Sequence, residues 1–96
     1  MKNSKENITP VHPGKVLQDE LDELAISQTA LAEHIGVLAK TVNEICRGKR
    51  GISAEMAMKL SQALGASPQF WLNLQNNWEL SLVRKSNFRL ISTAVA

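Results

Sequence analysis

Apolar residues recur at helical spacing along most of this chain, and short polar segments interrupt them with helix-ending and helix-starting residues. Leu17, Leu21 and Leu24 stand at i, i+4 and i+7 and predict the core face of a first helix. That helix starts at Pro13, whose fixed φ suits the first helical position, with His12 in the N-cap slot. Ile26 then leads to Ser27, a good N-cap for a second helix over about Gln28 to Ile35, with Leu31 and Ile35 on one side. A third helix is expected over about Ala39 to Arg47, stopping at Gly48, with Val42 and Ile45 facing inward. Ser53 caps a fourth, in which Glu55 suits the positive helix end and Met56, Ala57, Leu60, Ala63 and Leu64 form the apolar face up to Gly65. Ser67-Pro68 opens a fifth, carrying Phe70, Trp71, Leu72, Leu74, Trp78, Leu80 and Leu82.

Five short helices with brief connections predict a compact all-α domain over residues 12–82. A polar lead over 1–11 precedes it and a tail over 83–96 follows, both expected to be loosely held. Within the domain, Gln28 to Val37 followed by Val42 and Ile45 has the spacing of a helix-turn-helix, the unit that lays one helix in the major groove of DNA. Ala32 stands where the next helix must cross closely. Gly36 stands at the sharp turn, where a positive φ costs little only for glycine.

The formal net charge of the 96 residues is only +2, which by itself says little about nucleic acid. Its distribution says more. Residues 13–80 carry six Lys/Arg against eight Asp/Glu, yet Lys40, Arg47, Lys49 and Arg50 gather around the third helix, opposed only by Glu44. Asp19, Glu20, Asp22 and Glu23 gather on the first helix, where a solvated face is the ordinary reading and a basic protein partner the sharper one. One pole is therefore expected to face phosphate and the other to repel it.

The third helix is expected to project Lys40, Thr41, Asn43 and Glu44 away from its apolar face. Asn43 can pair with adenine in a bidentate manner, Lys40 can reach guanine or phosphate, and Thr41 can bond phosphate or touch a thymine methyl. Glu44 can accept from cytosine or orient a neighbouring cation. Gln28 and Thr29 open the second helix, whose free N–H groups suit a phosphate, and Arg47, Lys49 and Arg50 suit backbone clamping.

Beyond the motif, the strings His12-Pro13-Gly14-Lys15-Val16-Leu17, Gly48-Lys49-Arg50-Gly51-Ile52-Ser53-Ala54 and Ser67-Pro68-Gln69-Phe70-Trp71-Leu72-Asn73-Leu74-Gln75 are present. With them the chain resembles the HigA (VapI-type) antitoxins of the Xre/Cro helix-turn-helix family over about residues 12–80. The resemblance implies a five-helix, lambda-repressor-like domain that binds a palindromic double-stranded operator as a homodimer and represses its own operon. It also implies a protein partner, a HigB-like toxin that cleaves mRNA. The chain departs from the family at Leu38 and Ala39, where a Ser or Pro and then a polar or basic residue are common. Leu38 is a poor N-cap, at a cost of about 1 kcal/mol, and offers no phosphate ligand. Two other readings stay open: a stand-alone or phage-type Xre repressor without a toxin, and a toxin-binding module that does not touch DNA.

Trp71 and Trp78 are seven apart with Leu74 between them and share one face of a helix that is apolar over more than one stripe. One face can close the core, and Trp71, Leu74, Trp78 and Leu82 are expected to meet a second copy, the alternative being that all are core residues of a monomer. Residues 87–95 alternate loosely and either fray or add a strand or arm to a partner. His34 is expected on the surface and Cys46 as a small, partly buried hydrophobe. Two His and one Cys make no convincing zinc site, and no catalytic constellation is readable, so neither enzymatic activity nor a cofactor is expected. A lone cysteine, a polar start and the lack of any long apolar run point to a cytoplasmic protein without a membrane segment.

Overall fold

In the computed structural model, residues Pro10–Arg84 are described. Most of the expected lead and tail, including the loosely alternating stretch 87–95, lies outside the described residues. Five helices follow one another without a strand among the described residues: α1 Pro13–Leu24, α2 Gln28–Ile35, α3 Ala39–Cys46, α4 Ala54–Leu64 and α5 Pro68–Val83. The cap chemistry explains the boundaries. His12 Nδ1 accepts from the Gly14 N–H at 2.9 Å. The hydroxyls of Ser27, Ser53 and Ser67 accept from Ala30, Met56 and Phe70 at 3.0, 3.1 and 3.1 Å, each satisfying one of the orphan donors of a helix start. Leu38 makes no such bond, as its side chain dictates.

The end of α1 differs from expectation. Leu24 is 48% exposed rather than part of the core face. The helix stops one residue later at Ala25, which takes the left-handed conformation at φ 57°, and the Ile26 N–H returns to the Leu21 carbonyl at 2.9 Å. Past Leu24 the chain turns back, and Ile26 rather than Leu24 packs against the core. The turn between α2 and α3 matches its expectation: Gly36 holds φ 75°, and the Val37 N–H meets the Ala32 carbonyl at 3.0 Å.

Leu17, Leu21, Leu31, Ala32, Val42, Ile45, Ile52, Met56, Ala57, Leu60 and Trp71 form one buried cluster to which all five helices contribute. The helices meet in two manners. At the crossing of α1 and α3 a methyl group on Gly14 would collide with the carbonyl oxygen of Ile45, so these helices touch backbone to backbone. Against α5 the contact runs through side chains. Gln75, only 8% exposed, accepts the Ile52 N–H through Oε1 at 2.8 Å and donates from Nε2 to Glu79 at 2.8 Å. Gly51 leaves room for that amide, because a Cβ there would lie 2.8 Å from Gln75 Nε2. The loop after α3 is thereby fastened to α5, and Lys59 fastens the end of α2 by donating to the Ile35 carbonyl at 3.2 Å.

Candidate nucleic-acid interface

The close α1–α3 crossing and the Gly36 turn together set how α3 is presented. Val42 and Ile45 are buried, and the chain between them turns Asn43 and Glu44 toward the opposite side, half-buried, with Lys40 exposed and Thr41 half-buried. At the start of α3, Leu38 is 71% exposed and supplies no cap. The first N–H groups of this helix are therefore left to solvent or to an anion, and the positive end of the helix dipole coincides with them. The first N–H groups of α2, at Gln28 and Thr29, open next to the Ser27 cap; Thr29 is exposed and Gln28 half-buried.

Glu44 organises the cations. Its Oε1 accepts from Arg50 Nε and Nη2 at 3.0 and 2.7 Å, and Lys40 Nζ stands 3.9 Å from its Oε2. The hydrogen bonds from Arg50, joined by the positive charges of Arg50, Lys40 and Arg47, hold this carboxyl below its ordinary value. Glu44 thus holds the Arg50 guanidinium beside the exit of α3. Arg47 and Lys49 are exposed and have no ion pair among the described residues. Gly48, at φ 77°, turns the chain so that both stand at the exit of α3.

Asn43 is not isolated. Its Nδ2 donates to Gln28 Oε1 at 3.0 Å, Gln28 Nε2 donates to Gln18 Oε1 at 2.6 Å, and Gln18 Nε2 donates to Asp22 at 2.8 Å. The structure so brings Gln28 and Asn43 together and adds two α1 residues that the sequence reading missed. Only the Gln18–Asp22 step had a sequence signal, the i, i+4 spacing on one helix.

Of the residues expected to meet a second copy, Trp71 is corrected. It is 1% exposed and lies in the core cluster, because the packing of α5 on α4 points this stripe inward. Leu74 and Trp78 are half-buried, and Leu82 is exposed, as are Phe70, Leu80 and Val83 on the same helix. His34 is on the surface. Cys46 is half-buried, and burial, with the nearby Asp22 charge, pushes its thiol up to about 11, so it is protonated and unreactive near neutral pH. No helix among the described residues is long and apolar enough to cross a membrane.

Five helices with this turn define a class, and residues 17–71 match the helix-turn-helix family. The chain belongs to the Xre-type helix-turn-helix family, in its HigA-like antitoxin group. Antitoxin HigA-1 of Vibrio cholerae is 42% identical over 72 residues, spanning 74% of this chain and 68% of that protein. A Pseudomonas aeruginosa antitoxin HigA, solved with the higBA promoter, is 48% identical with a TM-score of 0.78, covering 82% of this chain and 87% of that one. PA4674 of Pseudomonas aeruginosa, solved with its operator DNA, is 43% identical with a TM-score of 0.82, covering 93% of this chain and 97% of that one.

Proposed function

We propose that this chain is a cytoplasmic DNA-binding antitoxin that represses its own operon as a homodimer on a palindromic operator and neutralises a HigB-like, mRNA-cleaving toxin. The observation that carries the DNA half is α3 itself. Lys40, Thr41 and Asn43 lie on its outer side, its uncapped start suits a phosphate, and Arg47, Lys49 and Arg50 flank its exit. Lys40, Thr41 and Asn43 read bases in this account. Gln28, Thr29, Arg47, Lys49 and Arg50 hold the backbone, and Glu44 aims Arg50. Relatives solved with operator or promoter DNA support the DNA-binding reading. The dimer rests on the exposed Leu80, Leu82 and Val83 at the end of α5, with Leu74 and Trp78 behind them. A dimer places two reading helices one DNA turn apart, about 34 Å.

The test is binding to the DNA upstream of the gene, titrated with salt. Asn43→Ala is expected to cost about 1–3 kcal/mol at one base position of each half-site. Lys49→Ala is expected to weaken all sequences alike and to lower the salt slope by about 1. Unchanged affinity in both variants overturns the docking. The toxin half predicts co-purification with the product of an adjacent gene. The dimer predicts a dimeric species by sedimentation at micromolar concentration, and a purely monomeric result overturns it.

A further inference from the structure

Asp22 is exposed on α1, a different helix from the one that carries Asn43, yet it ends a hydrogen-bond chain that begins at Asn43. The chemistry of that last link fixes the direction of every bond before it. A carboxylate only accepts, so Gln18 must turn its NH2 toward Asp22 and its carbonyl oxygen toward Gln28. Gln28 must then donate to Gln18 and turn its own carbonyl oxygen toward Asn43. Asn43 must in turn donate from Nδ2. The oxygen Oδ1 and the second Nδ2 hydrogen of Asn43 are left for a ligand.

We infer that Asp22 and Gln18 are positioning residues for base selection, setting through Gln28 which end of the Asn43 amide meets the DNA. The inference rests on α3 being the reading helix. An Asn that presents one acceptor and one donor matches adenine, which offers the N6 donor and the N7 acceptor in the major groove. With the chain reversed, Gln28 donates to Asn43 Oδ1, and Asn43 presents both Nδ2 hydrogens. That arrangement matches guanine, whose O6 and N7 both accept. The polarity of three amides thus encodes a choice between two purines, and a charge on another helix holds it.

Two substitutions on α1 test this without touching α3. Asp22→Lys replaces an acceptor-only group by a donor-only one, so Gln18, Gln28 and Asn43 turn over in sequence. Gln18→Glu combined with Asp22→Lys places a carboxylate beside Gln28 and a lysine four residues further on as its ion-pair partner. Gln28 then donates to the introduced carboxylate, and the original polarity returns. Each full-length protein selects from a double-stranded DNA pool randomised across the half-site. Only relative preferences are compared, so the uniform gain from added positive charge cancels.

The expected result is a wild type that favours adenine at the Asn43 position and an Asp22→Lys protein that shifts toward guanine. The relative change is expected to be about five-fold or more, and the double variant is expected to return to adenine. A wild type that selects a site, with an Asp22→Lys protein that selects the same base, overturns this inference alone. So does a double variant that keeps the shifted preference. A wild type that enriches no sequence overturns the DNA-reading function, and the inference with it.

Discussion

The helix-turn-helix half and the C-terminal helix are joined to the core by opposite means. Between α1 and α3 the contact is backbone against backbone, at Gly14 and Ile45. Around α5 it is made by large side chains, the Trp71 ring in the core and the Gln75 amide on the Ile52 N–H. A backbone contact has no rotamer to adjust, so it fixes the angle at which α3 is presented. A buried ring removes much apolar surface from water and so supplies stability. The region that must be accurate and the region that must be strong use different residues.

The comparison breaks first, if it breaks, at Trp71. Trp71→Ala is expected to lower unfolding free energy by about 3–5 kcal/mol, read from urea melts. The Nε1 of Trp71 is buried without a partner among the described residues. Trp71→Phe removes that unpaired N–H, which costs about 1–3 kcal/mol, along with part of the ring, so its penalty is expected to be far smaller. Gly14→Ala comes next, at about 1–3 kcal/mol from overpacking, because backbone rather than a flexible side chain must move. Its distinguishing effect is on DNA. Fully folded Gly14→Ala protein is expected to lose operator affinity, whereas folded Trp71→Ala protein retains it. Equal losses of affinity in the two variants erase the distinction between the regions.

The two regions were also unequally legible in the sequence. Helix boundaries were readable because the Ser caps, Pro13, Pro68, Gly36 and Gly65 each act locally. Val42 and Ile45 were readable from spacing alone. Leu24 was misplaced because the reversal at Ala25 uses a residue with no glycine signature, so nothing local announced the left-handed turn. Trp71 was misassigned for another reason. A helix apolar on several sides does not say which stripe meets its own core, and only the packing of α4 on α5 decides that. The Gln18–Gln28–Asn43 chain joins three helices, and the Gln75 bond joins a loop to a helix 23 residues away in sequence. Such pairings depend on tertiary placement and leave no periodic trace.

A smaller test concerns the start of α3. Leu38 is 71% exposed, so replacing it sacrifices little packing. Leu38→Ser is expected to raise stability by about 1 kcal/mol by giving the start of α3 the side-chain cap that the other helices have, read as an upward shift in urea midpoint. If instead stability falls, Leu38 has a packing role that its exposure does not reveal, and the accuracy of this region is not independent of side-chain burial.

The smallest effect lies where the two regions meet, at His12. Its Nδ1 caps α1, and its ring stands edge-on to Trp78 of α5 at a centroid distance of 5.4 Å and 74° between planes. The cap requires the Nδ1 lone pair, so it needs an imidazole unprotonated at that nitrogen. Burial lowers the His12 pKa below its ordinary 6.5. The native state thus favours the neutral ring, and the unfolded chain binds more protons once the pH drops below about 6.5. The stability contribution is therefore complete above that pH and is lost as pH falls from there through the lowered native value. Glu44 runs separately: its carboxyl is depressed from 4.5, so its contribution is present above that pH and lost below it. Urea midpoints at pH 7.5 and about 5.5 consequently isolate the histidine window, with His12→Asn as the comparison, since Asn caps without titrating. The wild type is expected to lose more stability than His12→Asn between those conditions. Equal losses would mean that the joint between the helix-turn-helix half and α5 does not depend on the charge of His12.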